Sequence, residues 1–306
     1  MTIKYTNLTD KIKQSGEIII LSTDNDERFF KAKEILLELV PNLKYELVCE
    51  EYIKNYENKK ELLDLYIDIR AGKEEPEDLE KKLSDPNIFA SLLVKLGKAH
   101  GIVSGATHPT ADILRPAFQI IKPAISGEVI SSLIWMNKKG ANDMFMADIS
   151  VMPDPTAEEL AQIAKQSANT VKGLFGIKPV VAMLSFSTKG SGGNHPDVIK
   201  VQEATKLIET SGIEAHGEIQ WDAATRPEIF ESKVGVKTEQ MPNVFIFPNL
   251  NSGNIGYKIA ATLGKYNAVG PILQNISSPV NDLSRGCTPK EIADLVILTA
   301  LQYINK

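Results

Sequence analysis

Val180-Val-Ala-Met-Leu-Ser185-Phe-Ser-Thr-Lys-Gly-Ser-Gly-Gly-Asn-His-Pro-Asp197 is an apolar run that breaks into a Gly-rich turn and then into helical spacing at Val198, Val201, Ala204 and Ile208. An apolar run without alternation, bounded by a turn, reads as a strand buried on both faces, and the spaced segment after the turn reads as the helix that covers it. Outward from there the pattern repeats. Glu17-Ile-Ile-Ile-Leu-Ser22, Gly101-Ile-Val-Ser104 and Asn243-Val-Phe-Ile-Phe247 are further apolar runs, each passing through a polar or Gly-rich turn into helical spacing. Strand, turn and helix in repetition predict an α/β protein with largely parallel sheets. Between Tyr52 and Lys98 the chain is dense in Glu and Lys and reads as helices, with Pro76 in a first helical turn.

Composition narrows the class. The 306 residues are 43% hydrophobic and 24% charged, close to globular averages, which excludes collagenous, low-complexity and wholly disordered chains. A single core begins to split at this length, so two domains are expected. The 34 basic and 39 acidic residues give a net charge of −5, leaving no basic surplus for a nucleic-acid backbone. Two cysteines, Cys49 and Cys287, are too few for a disulfide framework and favour reduced thiols in a cytoplasm. No signal peptide is expected from Met1-Thr-Ile-Lys-Tyr-Thr-Asn7, and no apolar run is long enough to span a membrane.

Four loops that follow strands concentrate the chemistry. Val103-Ser-Gly-Ala-Thr-His-Pro-Thr-Ala-Asp112 leads to Arg115; its small residues and hydroxyls, Ser104 and Thr107 among them, allow close approach of a ligand, and Arg115 offers a forked donor to an anion. It reads equally as a tight turn with Thr110 capping a helix. In the Ser185–Asp197 loop, Lys189, Ser191 and the glycines before a helix N-terminus suggest free backbone N–H groups and a cation for a phosphate-bearing ligand, although neither Walker A nor dinucleotide spacing is present. In Phe247-Pro-Asn-Leu-Asn-Ser-Gly-Asn-Ile-Gly-Tyr257, Gly253 and Gly256 allow close backbone approach and Asn251, Ser252 and Asn254 offer amide and hydroxyl partners, or the stretch is an ordinary turn capped by Ser252 or Asn254. Last, Pro279-Val-Asn-Asp-Leu-Ser-Arg-Gly-Cys-Thr-Pro-Lys-Glu291 gathers Ser284, Arg285, Cys287 and Glu291. There Thr288, Pro289 and Glu291 also form a capping-box pattern, so Glu291 has a purely structural reading as well. His100, His108, His195 and His216 are scattered without metal-ligand spacing, and no metal site is expected.

These loops resemble the phosphate acetyltransferase (phosphotransacetylase) family, which includes phosphate butyryltransferase. The matching stretches include Thr110-Ala-Asp-Ile-Leu-Arg-Pro-Ala117, Ala182-Met-Leu-Ser-Phe-Ser-Thr-Lys-Gly-Ser191, Gly253-Asn-Ile-Gly-Tyr-Lys-Ile-Ala260, Gly270-Pro-Ile-Leu-Gln274 and Pro279-Val-Asn-Asp-Leu-Ser-Arg-Gly-Cys287. They run from about Glu61 to the C-terminus, with a looser match at Asp24-Asn-Asp-Glu-Arg28. The resemblance implies two α/β domains with the active site in the cleft between them, in the architecture of isocitrate and isopropylmalate dehydrogenases. Carried across, one domain would be residues 1–129 plus 278–306 and the other residues 130–277. It implies reversible acetyl transfer between CoA and inorganic phosphate, without a covalent acyl-enzyme, by a cytoplasmic homodimer. Acetyl-CoA, CoA, acetyl phosphate and phosphate would be its partners, and no tightly bound cofactor is expected.

Residue by residue, the family's catalytic Ser-Arg falls on Ser284 and Arg285, its second phosphate-binding arginine on Arg115, and a further substrate-binding arginine, ahead of the Gly-Lys segment in Asp68-Ile-Arg-Ala-Gly-Lys73, on Arg70. Its general base is an Asp seven positions after the serine, where this chain has Glu291. A further family arginine is Thr262 here, a departure that bears on affinity for CoA or phosphate. Further substrate contacts are expected from Ser104, Thr107, Lys189, Ser191, Asn254, Tyr257 and Cys287. Two alternatives stay open: a butyryl- or propionyl-transferring relative, and a non-catalytic protein that binds CoA or phosphate. The isocitrate type of dehydrogenase shares the architecture but lacks support, because no Asp cluster for a metal-bound hydroxyacid is visible.

Overall fold

The computed structural model describes residues 5–235, 237, 238 and 240–306, which form two compact units. The first comprises residues 5–126 and 276–306. In it α1 (Tyr5–Lys13), β1 (Ile18–Ser22), α2 (Glu27–Leu39) and β2 (Leu43–Leu47) precede four helices, α3 (Glu50–Asn55), α4 (Lys59–Arg70), α5 (Pro76–Lys82) and α6 (Pro86–Lys95). Then come β3 (Gly101–Ser104) and α7 (Thr110–Pro116), which continues as a π-helical turn over Ala117–Ile121. The sheet is completed by β10 (Val280–Asp282), and α13 (Pro289–Ile304) ends the unit.

All four strands of this sheet are parallel, in the order β10-β3-β1-β2. Helix α2 leaves β1 toward β2, whereas α7 leaves β3 toward β10. Between β1 and β3 the connections therefore diverge, and such a divergence opens a crevice at the carboxyl ends of the two strands. Helix α2 buries Phe29, Ala32 and Leu36 at helical spacing against the sheet. Helix α13 is buried on all sides from Ile292 to Leu301, as befits a helix running through a core.

The second unit spans residues 127–275. Its elements are β4 (Ser131–Asn137), β5 (Met144–Ala147), α8 (Ala157–Thr170), β6 (Val181–Leu184), α9 (Pro196–Thr210), β7 (Ala215–Ile219), α10 (Trp221–Thr225), α11 (Pro227–Val234), β8 (Val244–Ile246), α12 (Leu250–Gly264) and β9 (Asn267–Gln274). The sheet order is β7-β6-β8-β5-β4-β9. Strands β5 to β8 pair in parallel, whereas β4 pairs antiparallel with both β5 and β9, so this sheet is mixed. A second divergence lies between β6 and β8, where α9 leads to β7 and α12 leads the other way to β9. Gly253 lets α12 lie close against the sheet, because a Cβ there would stand 2.2 Å from the Asp148 carbonyl oxygen.

Two expected caps are corrected. Thr110 is the first residue of α7, not its cap; Pro109 holds that place without a side-chain bond, and the Thr110 hydroxyl is used elsewhere. Helix α12 is capped by Asn249, whose Oδ1 accepts from Ser252 N, while Asn254 Nδ2 donates to the Ile149 carbonyl. The capping box of α13 forms as read, with Thr288 at N-cap and Glu291 at N3.

Candidate active site

In the first unit, Asp24 organises the loops at the carboxyl edge of the sheet. Its buried carboxylate accepts from Gly105 N (2.9 Å), Ala106 N (3.0 Å), Thr107 N (2.9 Å) and the Thr107 hydroxyl (2.7 Å). Ser104 is fully buried beside it; its Oγ accepts from Thr23 N, and its carbonyl accepts from Leu283 N. Ser104 and Thr107 thus shape the loop from within. At φ +124°, Gly105 adopts a conformation that favours glycine, and a Cβ there would stand 2.2 Å from Asp282 Oδ1.

Arg28 joins that loop to the turn bearing Ser284 and Arg285. Its Nη1 donates to the carbonyls of Arg285 (2.7 Å) and Cys287 (3.3 Å), and its Nη2 donates to the Ala106 carbonyl (3.0 Å). Asp26 completes the clamp through Arg28 Nε and Nη2, and the bond to Arg28 holds the Asp26 carboxyl below its usual range. Pinned in this way, Ser284 and Arg285 stand exposed. Cys287 is 7% exposed, and burial pushes its thiol up to about 11 despite the opposing Arg28 charge, so it is a poor nucleophile near neutrality.

The chain has five arginines, and they divide sharply. Arg28, Arg70 and Arg226 each bind a carboxylate, of Asp26, Glu74 and Glu228 respectively. Arg115, in the last turn of α7, and Arg285 are exposed and make no ion pair or side-chain hydrogen bond with the described residues. Arg70 is the more committed of the expected anion binders, since its Nε and Nη2 both donate to Glu74 Oε1, and Lys82 holds the other oxygen. Glu291 Oε2 accepts from Thr288 N (2.7 Å) and from the Thr288 hydroxyl (3.0 Å), while Oε1 makes no hydrogen bond with the described residues.

The Gly-rich loop of the second unit differs from its expected form. Its donors are not free: Glu218 Oε1 accepts from Gly190 N (2.6 Å) and from the Ser187 hydroxyl (2.7 Å), and Glu218 Oε2 accepts from Gln202 (3.0 Å). Lys189 Nζ donates to the Gly217 carbonyl, and Ser191 Oγ accepts from Thr188 N. The protein's own carboxylate fills this nest of donors, as Asp24 fills the one in the first unit. Tyr257 packs against the unit's core, and Thr262 is exposed on α12.

Asp24, Arg28, Asp282 and Glu218 are not among the site residues that the sequence leads one to expect. Asp24, Arg28 and Asp282 lie in stretches that match the family, but residue type and position alone give little: Asp24 and Asp282 stand at or just beyond the carboxyl end of an apolar strand, where a polar residue is unremarkable. Among the described residues no three His, Cys, Asp or Glu side chains gather to hold a metal ion, and no helix is long and apolar enough to cross a membrane.

The sequence matches the family described as phosphate acetyl/butaryl transferase over residues 14–300. A phosphate acetyltransferase of Staphylococcus epidermidis is 46% identical over 259 residues, covering 81% of this chain and 77% of the relative. The structure superposes on a phosphotransacetylase from Streptococcus pyogenes with a TM-score of 0.87 and 39% identity, covering 99% of this chain and all of the other. A 4-hydroxythreonine-4-phosphate dehydrogenase from Klebsiella pneumoniae, 11% identical with a TM-score of 0.53 over 95% of this chain and all of that one, shares the fold alone. Two α/β units with predominantly parallel sheets are what these neighbours have in common with it, and the chain belongs to the phosphate acetyl/butaryl transferase family.

Proposed function

We propose that this protein is a phosphate acetyltransferase that moves acetyl reversibly between CoA and inorganic phosphate. The observation that carries the reading is the pair of guanidiniums, Arg115 and Arg285, that are exposed and unengaged by the described residues, in a unit whose other arginines are tied to carboxylates. An exposed cation without a partner is available to an anion, and a guanidinium can grip a phosphate with two parallel hydrogen bonds.

The chemistry is that of acyl transfer. In the direction of acetyl-CoA synthesis, the CoA sulfur attacks the carbonyl carbon of acetyl phosphate. A C–S bond forms, the C–O bond to phosphate breaks, and phosphate leaves with the electron pair. A thiol of pKa about 8.5 is only a few per cent ionised at neutral pH, so a base accelerates the attack. Glu291 takes that proton through Oε1, the oxygen its cap leaves over. Ser284 donates to the carbonyl oxygen as negative charge develops, and Arg115 and Arg285 hold the departing phosphate. Phosphorus is not the reaction centre, so the charge to be stabilised develops on the carbonyl and phosphate oxygens, which suits a hydroxyl and guanidinium donors. Arg70 joins them only if a substrate phosphate displaces Glu74. CoA and acetyl-CoA act as substrates, and no resident cofactor enters the scheme. Cys49 and Cys287 as free thiols support a cytoplasmic setting. A homodimer is the proposed assembly, supported by Ile255 and Leu263, which α12 exposes on one face.

The test is thioester formation from acetyl phosphate and CoA by the purified protein, with butyryl phosphate in parallel. Turnover favouring acetyl phosphate supports the reading. A preference for butyryl phosphate moves the protein to a longer-chain substrate, and no turnover with either refutes it.

A further inference from the structure

Acyl transfer from acetyl phosphate leaves a proton to be placed on the phosphate side. Acetyl phosphate, like a phosphate monoester, is close to a dianion at neutral pH. When its C–O bond breaks, the phosphate takes the electron pair and would depart with a third negative charge. Arg115 and Arg285 offset two of the three, and an acid that protonates the departing oxygen removes the third. Guanidiniums do not give up their protons, and Glu291 is occupied with the proton of sulfur.

His108 is the one histidine on the loops that gather at the carboxyl edge of the first unit's sheet, residues 23–28, 104–112 and 283–291. Three links fix its loop beside the Ser284–Arg285 turn. Leu283 N donates to the Ser104 carbonyl (2.8 Å), Arg28 joins the carbonyls of Ala106 and Arg285, and the Thr110 hydroxyl donates to Asp282. Among these anchors the imidazole is half-buried, with Nε2 3.3 Å from the Thr23 carbonyl oxygen. A carbonyl only accepts, so Nε2 carries a hydrogen and donates it. Thr23 is itself held fast: its N donates to Ser104 Oγ (2.8 Å) and its hydroxyl to Asn87 Oδ1 (2.6 Å). Nδ1 makes no hydrogen bond with the described residues and is the atom through which the ring takes up or gives a proton. Imidazole is also the side chain whose charge changes nearest neutrality.

We propose that His108 is the acid of the transfer, giving its Nδ1 proton to the oxygen that leaves with the phosphate. The inference rests on the acetyltransferase reading, which supplies that phosphate. In acetyl-CoA synthesis the imidazolium loses the Nδ1 hydrogen as the C–O bond breaks. Hydrogen phosphate departs, and the ring is left neutral with its hydrogen on Nε2. Glu291 passes the proton of sulfur to solvent, and the ring takes one back, so the thiol proton is matched by the proton that leaves on phosphate. In the reverse direction neutral Nδ1 accepts the proton of hydrogen phosphate as that oxygen attacks the acetyl carbon of acetyl-CoA and the C–S bond breaks.

Thioester formation from acetyl phosphate and CoA is measured on the wild type, His108→Gln and His108→Ala, with a thermal melt beside each. Glutamine reaches the Thr23 carbonyl with its own N–H but has no proton to give. His108→Gln should melt like the wild type, keep its KM for CoA and lose about 10²-fold or more in kcat. Added imidazole should accelerate His108→Ala saturably, beyond the reaction without enzyme, and should not accelerate His108→Gln, whose side chain fills the space. Should the glutamine protein melt early, the imidazole response of His108→Ala decides. His108→Gln at the wild-type rate overturns the acid role and leaves the acetyltransferase reading intact. So does a folded, slow His108→Ala that imidazole does not accelerate, because the ring would then only support Thr23. A wild type that forms no thioester overturns the acetyltransferase reading, and the acid role with it.

Discussion

The Thr110 hydroxyl donates to Asp282 Oδ2 at 2.7 Å, tying the first residue of α7 to the last of β10 and leaving Asp282 Oδ1 buried without a partner among the described residues. Only 4% of Asp282 is exposed. Burial is the main influence on its carboxyl and pushes it up to about 6, with the nearby Asp24 charge adding to the rise and Thr110 opposing it. The helix that carries Arg115 is thus anchored to the strand running into Ser284 by a carboxylate that is unfavourable when ionised.

Linkage fixes the sign of the effect on stability. Between the ordinary value of 3.8 and the folded value of about 6, the folded protein binds the Asp282 proton more tightly than the unfolded chain does. Stability therefore falls as pH rises through that window, by on the order of 2–3 kcal/mol in all. Asn cannot ionise and can still accept from Thr110. Asp282→Asn should melt several degrees above the wild type at pH 8, and the gap should close near pH 4. Thermal melts across that range decide it; equal or lower melting at pH 8 would mean that the charge is compensated.

Arg28 makes a different kind of link, between backbones. It grips the carbonyls of Ala106, Arg285 and Cys287 with one guanidinium, and a lysine has no fork to reproduce this. We expect Arg28→Lys to keep the fold, losing about 1–3 kcal/mol of stability, while kcat/KM for acetyl phosphate drops at least tenfold as the Ser284–Arg285 turn loosens. Kinetics beside a melt separates the two effects, and unchanged kinetics would make Arg28 a purely structural clamp.

What could be read along the chain and what could not divide by sequence distance. The buried strands Ile18–Ser22, Gly101–Ser104, Val181–Leu184 and Val244–Ile246 announce themselves as apolar runs, and the capping box at Thr288 and Glu291 is complete within four residues. The four loops stood out because Gly, Ser and Thr cluster directly after such runs. Their anchors did not, because each acts across the fold: Asp24 on residues 105–107, Arg28 on Arg285 and Cys287, Glu218 on Ser187 and Gly190. A Gly-rich turn looks the same in sequence whether its donors await a ligand or already hold a carboxylate. Thr110 shows the same limit at a helix start, where a plausible cap proves to be bonded to Asp282, 172 residues away.

Glu218 offers a test of that internal anchoring. Burial opposes its ionisation, but the donors of Gly190, Ser187 and Gln202 outweigh burial and hold the carboxyl below its ordinary 4.5. A lowered folded value contributes stability that is present above 4.5 and is lost as pH falls through the folded value. Glu218→Gln should destabilise the protein by about 1–3 kcal/mol at pH 7 and flatten its acid limb. The amide of Gly190 should exchange its hydrogen markedly faster in the variant. Unchanged exchange there would show that the loop holds its shape without the carboxylate.

Glu291 has two duties in the proposed scheme, and substitution can pull them apart. Its cap needs an acceptor that reaches back to Thr288 N, which Gln supplies and the shorter Asp does not. Its role as base needs a carboxylate, which Asp supplies and Gln does not. The two variants should therefore fail in opposite ways. Glu291→Gln should melt like the wild type and lose about 10²–10⁴-fold in kcat, the usual worth of a positioned base. Glu291→Asp should lose less kcat than Glu291→Gln, since a shift of about an ångström weakens the transfer without removing it, while stability falls by about 0.5–1 kcal/mol with the broken cap. Measuring kcat and melting temperature on both proteins gives four numbers that must cross in this sense. If Glu291→Gln turns over at the wild-type rate, Glu291 is a helix cap alone, and the thiol proton leaves by another route.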